Sequence, residues 1–240
     1  MRVLVFTSQK GGSGKTTLCG HLAVQAELAG QGPVAVIDTD PQGSLAQWWN
    51  ARAAETPLFL RVSGQYLHED IRQLDRAGVR YVFIDTPPTV TEMISRIVAY
   101  ADLVVVPTRP SPHDLRAVGP TLDIVESLRK PLVFAINAAN RRARITGETA
   151  VALSQHGTVA PVTLHDRVDF ATSMIHGGTV METDPESRSA GEIREMWSYL
   201  GSRLDEALPR VTRTSGIFHP VAKSRGFGHR KPQQTPAAAE

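Results

Sequence analysis

The sequence predicts an α/β domain built on a mostly parallel sheet with helices on both faces, followed by a basic tail. Three observations carry this. Strand-like and helix-like segments alternate along the chain, the order that suits parallel strands joined by helical crossovers. The strand-like segments are continuous apolar runs, as expected where both faces of a sheet are covered. Each run ends in a polar or glycine-rich turn, and ligands of such sheets sit at the carboxyl ends of strands.

Val3–Thr7 is the first apolar run and leads into Gly11-Gly12-Ser13-Gly14. Residues 15–30 read as a helix, with Leu18, Leu22, Ala26 and Ala29 on one face and glycines at 30 and 32 to stop it. Val34–Ile37 is the second strand, closed by Asp38-Thr39-Asp40-Pro41. Residues 43–54 look helical and carry Trp48 and Trp49, adjacent positions that cannot both face a core. One of the two is expected in an interface or partly exposed. Residues 66–77 form an amphipathic helix. Val79–Ile84 is the third strand and ends at Asp85-Thr86-Pro87-Pro88. Leu103–Val106 is the fourth, ending at Pro107-Thr108-Arg109-Pro110, and residues 113–129 follow as a helix. Leu132–Ile136 is the fifth and ends at Asn137, before helices at about 144–155, 167–176 and 187–207.

Composition narrows the function. Of 240 residues, 41% are apolar and 21% charged, ordinary for a soluble globular protein. No run of 18 apolar residues exists to span a membrane. The stretch before the first glycines is too short for a signal peptide. A lone cysteine, Cys19, excludes an internal disulfide and a thiolate cluster within one chain. A cytoplasmic protein is the expectation. Net charge is +2, but residues 211–240 hold Arg213, Lys223, Arg225, Arg230 and Lys231 against Glu240 alone. The domain at 1–210 is therefore mildly acidic. The tail at 211–240, with its prolines and glycines and no periodicity, reads as disordered.

Lys10-Gly11-Gly12-Ser13-Gly14-Lys15-Thr16-Thr17 lies between a strand and a helix, the context of a phosphate-binding loop. Glycines let backbone N–H groups curl around phosphate oxygens, and the helix N-terminus adds its dipole. Gly11, Gly12, Ser13, Gly14, Lys15, Thr16 and Thr17 are thus the candidate ATP contacts. Lys15 suits the β- and γ-phosphates, and the Thr16 hydroxyl suits Mg²⁺. Asp85, ending an apolar strand, suits the same magnesium ion. No glutamate follows it to orient water. Asp38 and Asp40 end the neighbouring strand, and by local pattern read as the helix-capping carboxylates of an Asp-Pro turn.

The loop has Gln9 where the usual motif places its first glycine, and then a second lysine, Lys10. This Lys-Gly-Gly-x-Gly-Lys-Thr form resembles the deviant Walker A box of ParA/MinD-type ATPases. Asp38-Thr39-Asp40-Pro41-Gln42-Gly43-Ser44, Asp85-Thr86-Pro87-Pro88, Pro107 to Asp114, and Arg167 with Gly177-Gly178-Thr179-Val180 also look like ParA segments. The similarity covers about residues 1–205 and is greatest to small ParA proteins without an N-terminal helix-turn-helix, since the first strand begins at residue 2. The resemblance implies a homodimer closed by ATP, with Lys10 reaching the partner's nucleotide; a solvated surface lysine is the alternative. It implies that Asp40 positions the attacking water and that Asp38 supports the magnesium region. It implies non-specific DNA binding and a ParB-like stimulating partner, with ATP hydrolysis weak without one. No membrane is expected, because the tail lacks the apolar residues of an amphipathic anchor.

Other positions stay open at this level. Asn137 reads the adenine edge or closes a strand-end turn. Arg141, Arg142 and Arg144 bind DNA or solvate a loop. Arg167 contacts DNA or forms a surface salt bridge. Lys223 and Arg225 of the tail bind DNA or only solubilise it. A biosynthetic ligase or amidotransferase of the same superfamily, acting on a small carboxylate, is the competing function; it needs substrate-binding segments that this chain spends on ParA-like ones.

Overall fold

The structure is a computed structural model and describes residues 1–61, 66–89 and 91–206. Seven parallel strands are β1 (Arg2–Phe6), β2 (Val34–Asp38), β3 (Leu58–Arg61), β4 (Tyr81–Asp85), β5 (Leu103–Thr108), β6 (Leu132–Ile136) and β7 (Thr158–Val159). Their order across the sheet is β3-β2-β4-β1-β5-β6-β7. The chain winds outward one way from β1 to β3 and the other way from β5 to β7. The strand ends around β1 are therefore where a ligand fits in such a fold.

Successive residues of β1 enter different cores. Leu4 and Phe6 pack with α1 (Lys15–Leu28), α2 (Ser44–Asn50) and α10 (Arg188–Glu206). Val3 and Val5 pack with α3 (Leu67–Arg76), α4 (Glu92–Val98), α6 (Gly119–Ser127) and α7 (Ile145–Ser154). Two buried faces explain why the strands are apolar throughout. Phe6, Phe83 and Phe134 are fully buried, and truncating such a ring to alanine costs about 3–5 kcal/mol. In α10, Ala190, Ile193, Trp197, Leu200 and Leu204 recur at helical spacing on the buried side.

The sheet departs from the sequence expectation in identifiable places. β3 and β7 are short edge strands, and α4 is a single pair of turns; none has a long enough periodic run to signal itself. The helix expected over 113–129 is two: α5 (Pro112–Arg116) and α6. Pro120 lies in the first turn of α6, where its missing N–H is harmless; inside one continuous helix it would break the hydrogen-bond ladder. Two further short helices, α8 (Val168–Met174) and α9 (Val180–Thr183), precede α10. Residues 211–240, including Lys223 and Arg225, lie outside the described residues.

Candidate nucleotide-binding site

β1 hands directly to the glycine-rich loop. Gly12 (φ 73°) and Gly14 (φ 96°) take left-handed backbone conformations that other residues enter only with strain. The N-terminus of α1 has no side-chain cap and no acid in its first turn. Its free N–H groups and positive dipole end are left for an external anion. Lys15 is buried to 6% exposure, and its Nζ donates to the Lys10 carbonyl at 3.3 Å. Burial lowers the Lys15 pKa against the pull of Asp85 and Asp40.

Register puts three strand ends side by side: Phe6 faces Asp85, and Asp85 faces Asp38. Thr86 Oγ1 donates to the Phe6 carbonyl, and Thr39 Oγ1 donates to that of Asp85. The Thr16 hydroxyl donates to Asp85 Oδ2 at 2.5 Å. Asp85 is fully buried, and its Oδ1 has no hydrogen-bond partner among the described residues. Its pKa rises to about 7; burial is the main cause, Asp38 adds to it, and the Thr16 bond and Lys15 oppose it. A buried carboxylate with an orphaned oxygen, one bond from a threonine hydroxyl and beside a lysine, fits a magnesium ion and its phosphate oxygens.

The two aspartates at the end of β2 and in the turn after it are held differently. Asp38 Oδ1 accepts from the Asp40 N–H and its Oδ2 from the Ala46 N–H. Asp38 thus fastens the turn and caps the first turn of α2, while its charge bears on Asp85. Asp40 is half-exposed, holds the Gln42 N–H on Oδ1, and lines the cleft above the phosphate loop. That cleft has a volume of about 620 Å³ and runs from Gly11 and Lys15 past Asp40 to Trp48, Met174 and Ile175.

Its far wall was not legible in the sequence. Trp48 is 4% exposed, lies against Gly20 of α1, and donates Nε1–H to the Gly178 carbonyl. Arg52 stacks on Trp48, 5.0 Å from the ring centroid. The Arg52 guanidinium donates to the Gly177 carbonyl and forms a two-pronged pair with Glu182 at 2.8 and 3.1 Å. A Cβ on Gly177 would meet the Arg52 nitrogen at 2.2 Å. Close backbone approach is what that glycine permits. Trp49 is partly buried instead, stacked on Phe59.

The remaining candidates are spread out. The Asn137 side-chain amide donates to the Ser13 carbonyl at 2.8 Å. The Lys10 side chain is exposed and makes no hydrogen bond or ion pair among the described residues. Arg141 and Arg142 are exposed in the loop after β6, with the Arg142 N–H held by Asn140 Oδ1. Arg167 is 20% exposed, and its guanidinium grips Glu192 at 2.8 and 2.6 Å and also donates to Ser189. Glu192 raises its pKa further. No described helix is long and apolar enough to cross a membrane.

A parallel sheet with a glycine-rich phosphate loop at its switch point, a paired threonine and aspartate, and an uncapped helix defines a P-loop nucleotide-binding protein. Residues 4–182 match the model of the CobQ/CobB/MinD/ParA nucleotide binding domain, and the chain belongs to that family. It is 26% identical over 216 residues to maintenance of carboxysome distribution protein A of Halothiobacillus neapolitanus, covering 86% of this chain and 96% of the relative. It is 29% identical over 194 residues to protein ParA of Rhizobium radiobacter, covering 75% and 85%. The septum site-determining protein MinD of Pyrococcus horikoshii, solved with Mg-ADP, has the same fold, with a TM-score of 0.69 at 16% identity over 86% of this chain and 98% of that one.

Proposed function

We propose that this chain is a positioning ATPase whose homodimer closes on ATP, binds DNA without sequence preference, and is reset by hydrolysis that a partner protein stimulates. The observation that carries the reading is Lys10. Its carbonyl is taken by Lys15 while its own ammonium is exposed and has no partner among the described residues. A second lysine placed so suits a nucleotide bound by another copy. The similarity to a carboxysome-distribution protein and to a ParA protein supports the positioning role.

Within this reading the loop amides and Lys15 hold the β- and γ-phosphates of ATP, and Thr16 and Asp85 hold Mg²⁺. The bound magnesium supplies charge neutralisation at the phosphates. Asp38 keeps the turn rigid by carrying two backbone N–H groups. Asp40, half-exposed on the cleft, orients and accepts a proton from water. Slow turnover by the unstimulated dimer is expected, with the protein cytoplasmic and on the nucleoid when ATP-bound. Arg141 and Arg142 are the exposed cations offered to DNA, with Lys223 and Arg225 of the tail. Arg167 must leave Glu192 before it contributes. The cargo is DNA or a protein cluster.

The test is fluorescence anisotropy of a random-sequence duplex across a salt series. Binding is expected with ATP and not with ADP. Each neutralised phosphate contributes about 0.9 to the slope of log K against log salt, so Arg141→Ala with Arg142→Ala is expected to flatten the dimer's slope by up to about 3.6. Equal binding with ATP, ADP and no nucleotide would remove the ATP gate from the account.

A further inference from the structure

Asn137 sits at the end of β6, where a base-reading side chain is expected, but it is turned toward the phosphate loop. Its backbone N–H is fixed on the Thr108 carbonyl at 2.9 Å. The next residue, Ala138, has φ 49°, a left-handed conformation that alanine adopts at a cost. The residue after it is tied to the Leu164 carbonyl. Pinned on both sides, the side chain donates Nδ2–H to the Ser13 carbonyl at 2.8 Å. The acceptor is a carbonyl, so only the nitrogen end of the amide can make this bond. The approach is intimate: a Cβ on Gly14 would lie 2.0 Å from Asn137 Nδ2.

The Ser13–Gly14 peptide is planar and trans, so its carbonyl and its N–H point in opposite directions. Holding the Ser13 carbonyl on Asn137 therefore sets the direction of the Gly14 N–H. Gly12 and Gly14 on either side are the loop's two left-handed glycines, and without an anchor that peptide is free to rotate. The Ser13 side chain does not serve as one, since its buried Oγ has no partner among the described residues.

We propose that Asn137 is a positioning residue: it holds the phosphate loop in its anion-binding shape by anchoring the Ser13 carbonyl, independently of any contact with the base. The assignment rests on nucleotide binding at this loop and deepens it. It separates two roles that a nucleotide alone confounds. A residue that reads the base affects only ligands that have one. A residue that shapes the loop affects any polyphosphate.

The experiment is isothermal titration of the full chain with Mg-ATP and, separately, with magnesium tripolyphosphate, which has no base. Asn137→Leu keeps the volume and removes the donor; Asn137→Ala is the second variant. Both are titrated below their measured unfolding midpoints. Losing one neutral hydrogen bond that orders the loop is expected to weaken both ligands by the same factor, between about twofold and tenfold. Weaker ATP with unchanged tripolyphosphate would overturn the proposal and make Asn137 a base reader. No change in either would overturn it as well. A wild-type chain that bound neither ligand would overturn the nucleotide reading and this assignment with it.

Discussion

Burial perturbs the Asp85 carboxylate strongly, and its perturbation can be measured. In the nucleotide-free chain the charged form is disfavoured, with the pKa moved from 3.8 to about 7 by burial first. A carboxylate raised in the folded state contributes stability that is complete below the unfolded pKa and is lost as pH rises through the folded one. From this group alone, stability falls between about pH 4 and 7. Asp85→Asn removes that penalty. The variant is expected to unfold at a higher temperature than wild type at pH 8, with the gap narrowing toward pH 5. In calorimetry each kcal/mol appears as roughly 2–4 °C for a domain of this size. It is also expected to lose magnesium-dependent tightening of ATP. A lower midpoint at pH 8 would contradict the desolvation argument. His21 works in the opposite sense: fully buried, with its pKa lowered to about 4, it costs stability as pH falls below 6.5. At this scale the sequence was informative where chemistry requires a fixed spacing, as from Gly11 to Thr17. It was uninformative where a side chain's partner is a distant backbone atom. Asp38 capping Ala46 and Asn137 holding Ser13 follow from strand register and loop path, which no local pattern encodes.

At the scale of elements, α2 is the link between the Asp40 turn and the opposite wall of the cleft. Seven residues make too short a helix to stand alone, so its position depends on what grips its ends. Asp38 holds the first turn. Trp48 and Arg52 hold the other end against Gly177, Gly178 and Glu182. The Arg52 side chain is 3% exposed, against 30% for that of Glu182. Arg52→Met would take from Glu182 its charged donor, leaving it the Thr179 hydroxyl, and would strip the Gly177 and Thr56 carbonyls of the guanidinium, at an expected cost of about 2–3 kcal/mol after allowing for the exposure of Glu182. That is roughly a 4–12 °C lower midpoint. ATP hydrolysis is expected to fall more than ATP affinity, because the phosphate loop is untouched while the Asp40 turn loses its brace. A midpoint within about 2 °C of wild type would show that the clamp holds nothing. The longer helices α1, α3 and α10 were readable from sequence with boundaries close to those observed, α3 and α10 by their period and α1 by the glycine-rich loop before it and the glycines after it, since α1 is buried all round from Leu18 to Ala26. β3, β7, α4 and α9 were not: each is fixed by what it packs on, and a run of two to seven residues has no period to display.

For the whole molecule, the alternation of strands and helices made a parallel sheet legible, but not the strand order. That order depends on which side each crossover passes, and it alone puts Asp38 and Asp85 in register. The central claim concerns an assembly of two such molecules. Lys15 is occupied within its own chain, whereas Lys10 has no side-chain partner among the described residues, and a charge-assisted contact to phosphate contributes about 1.5–3 kcal/mol. In the proposed dimer, two symmetric contacts of this kind would make closure steeply dependent on Lys10. The direct measurement is light scattering of the full chain with magnesium and saturating ATP, using Asp40→Ala to prevent hydrolysis. Asp40→Ala is expected to run as a dimer, and Asp40→Ala combined with Lys10→Ala as a monomer that still binds ATP. A monomeric Asp40→Ala protein, or a dimer indifferent to the loss of Lys10, would contradict the account.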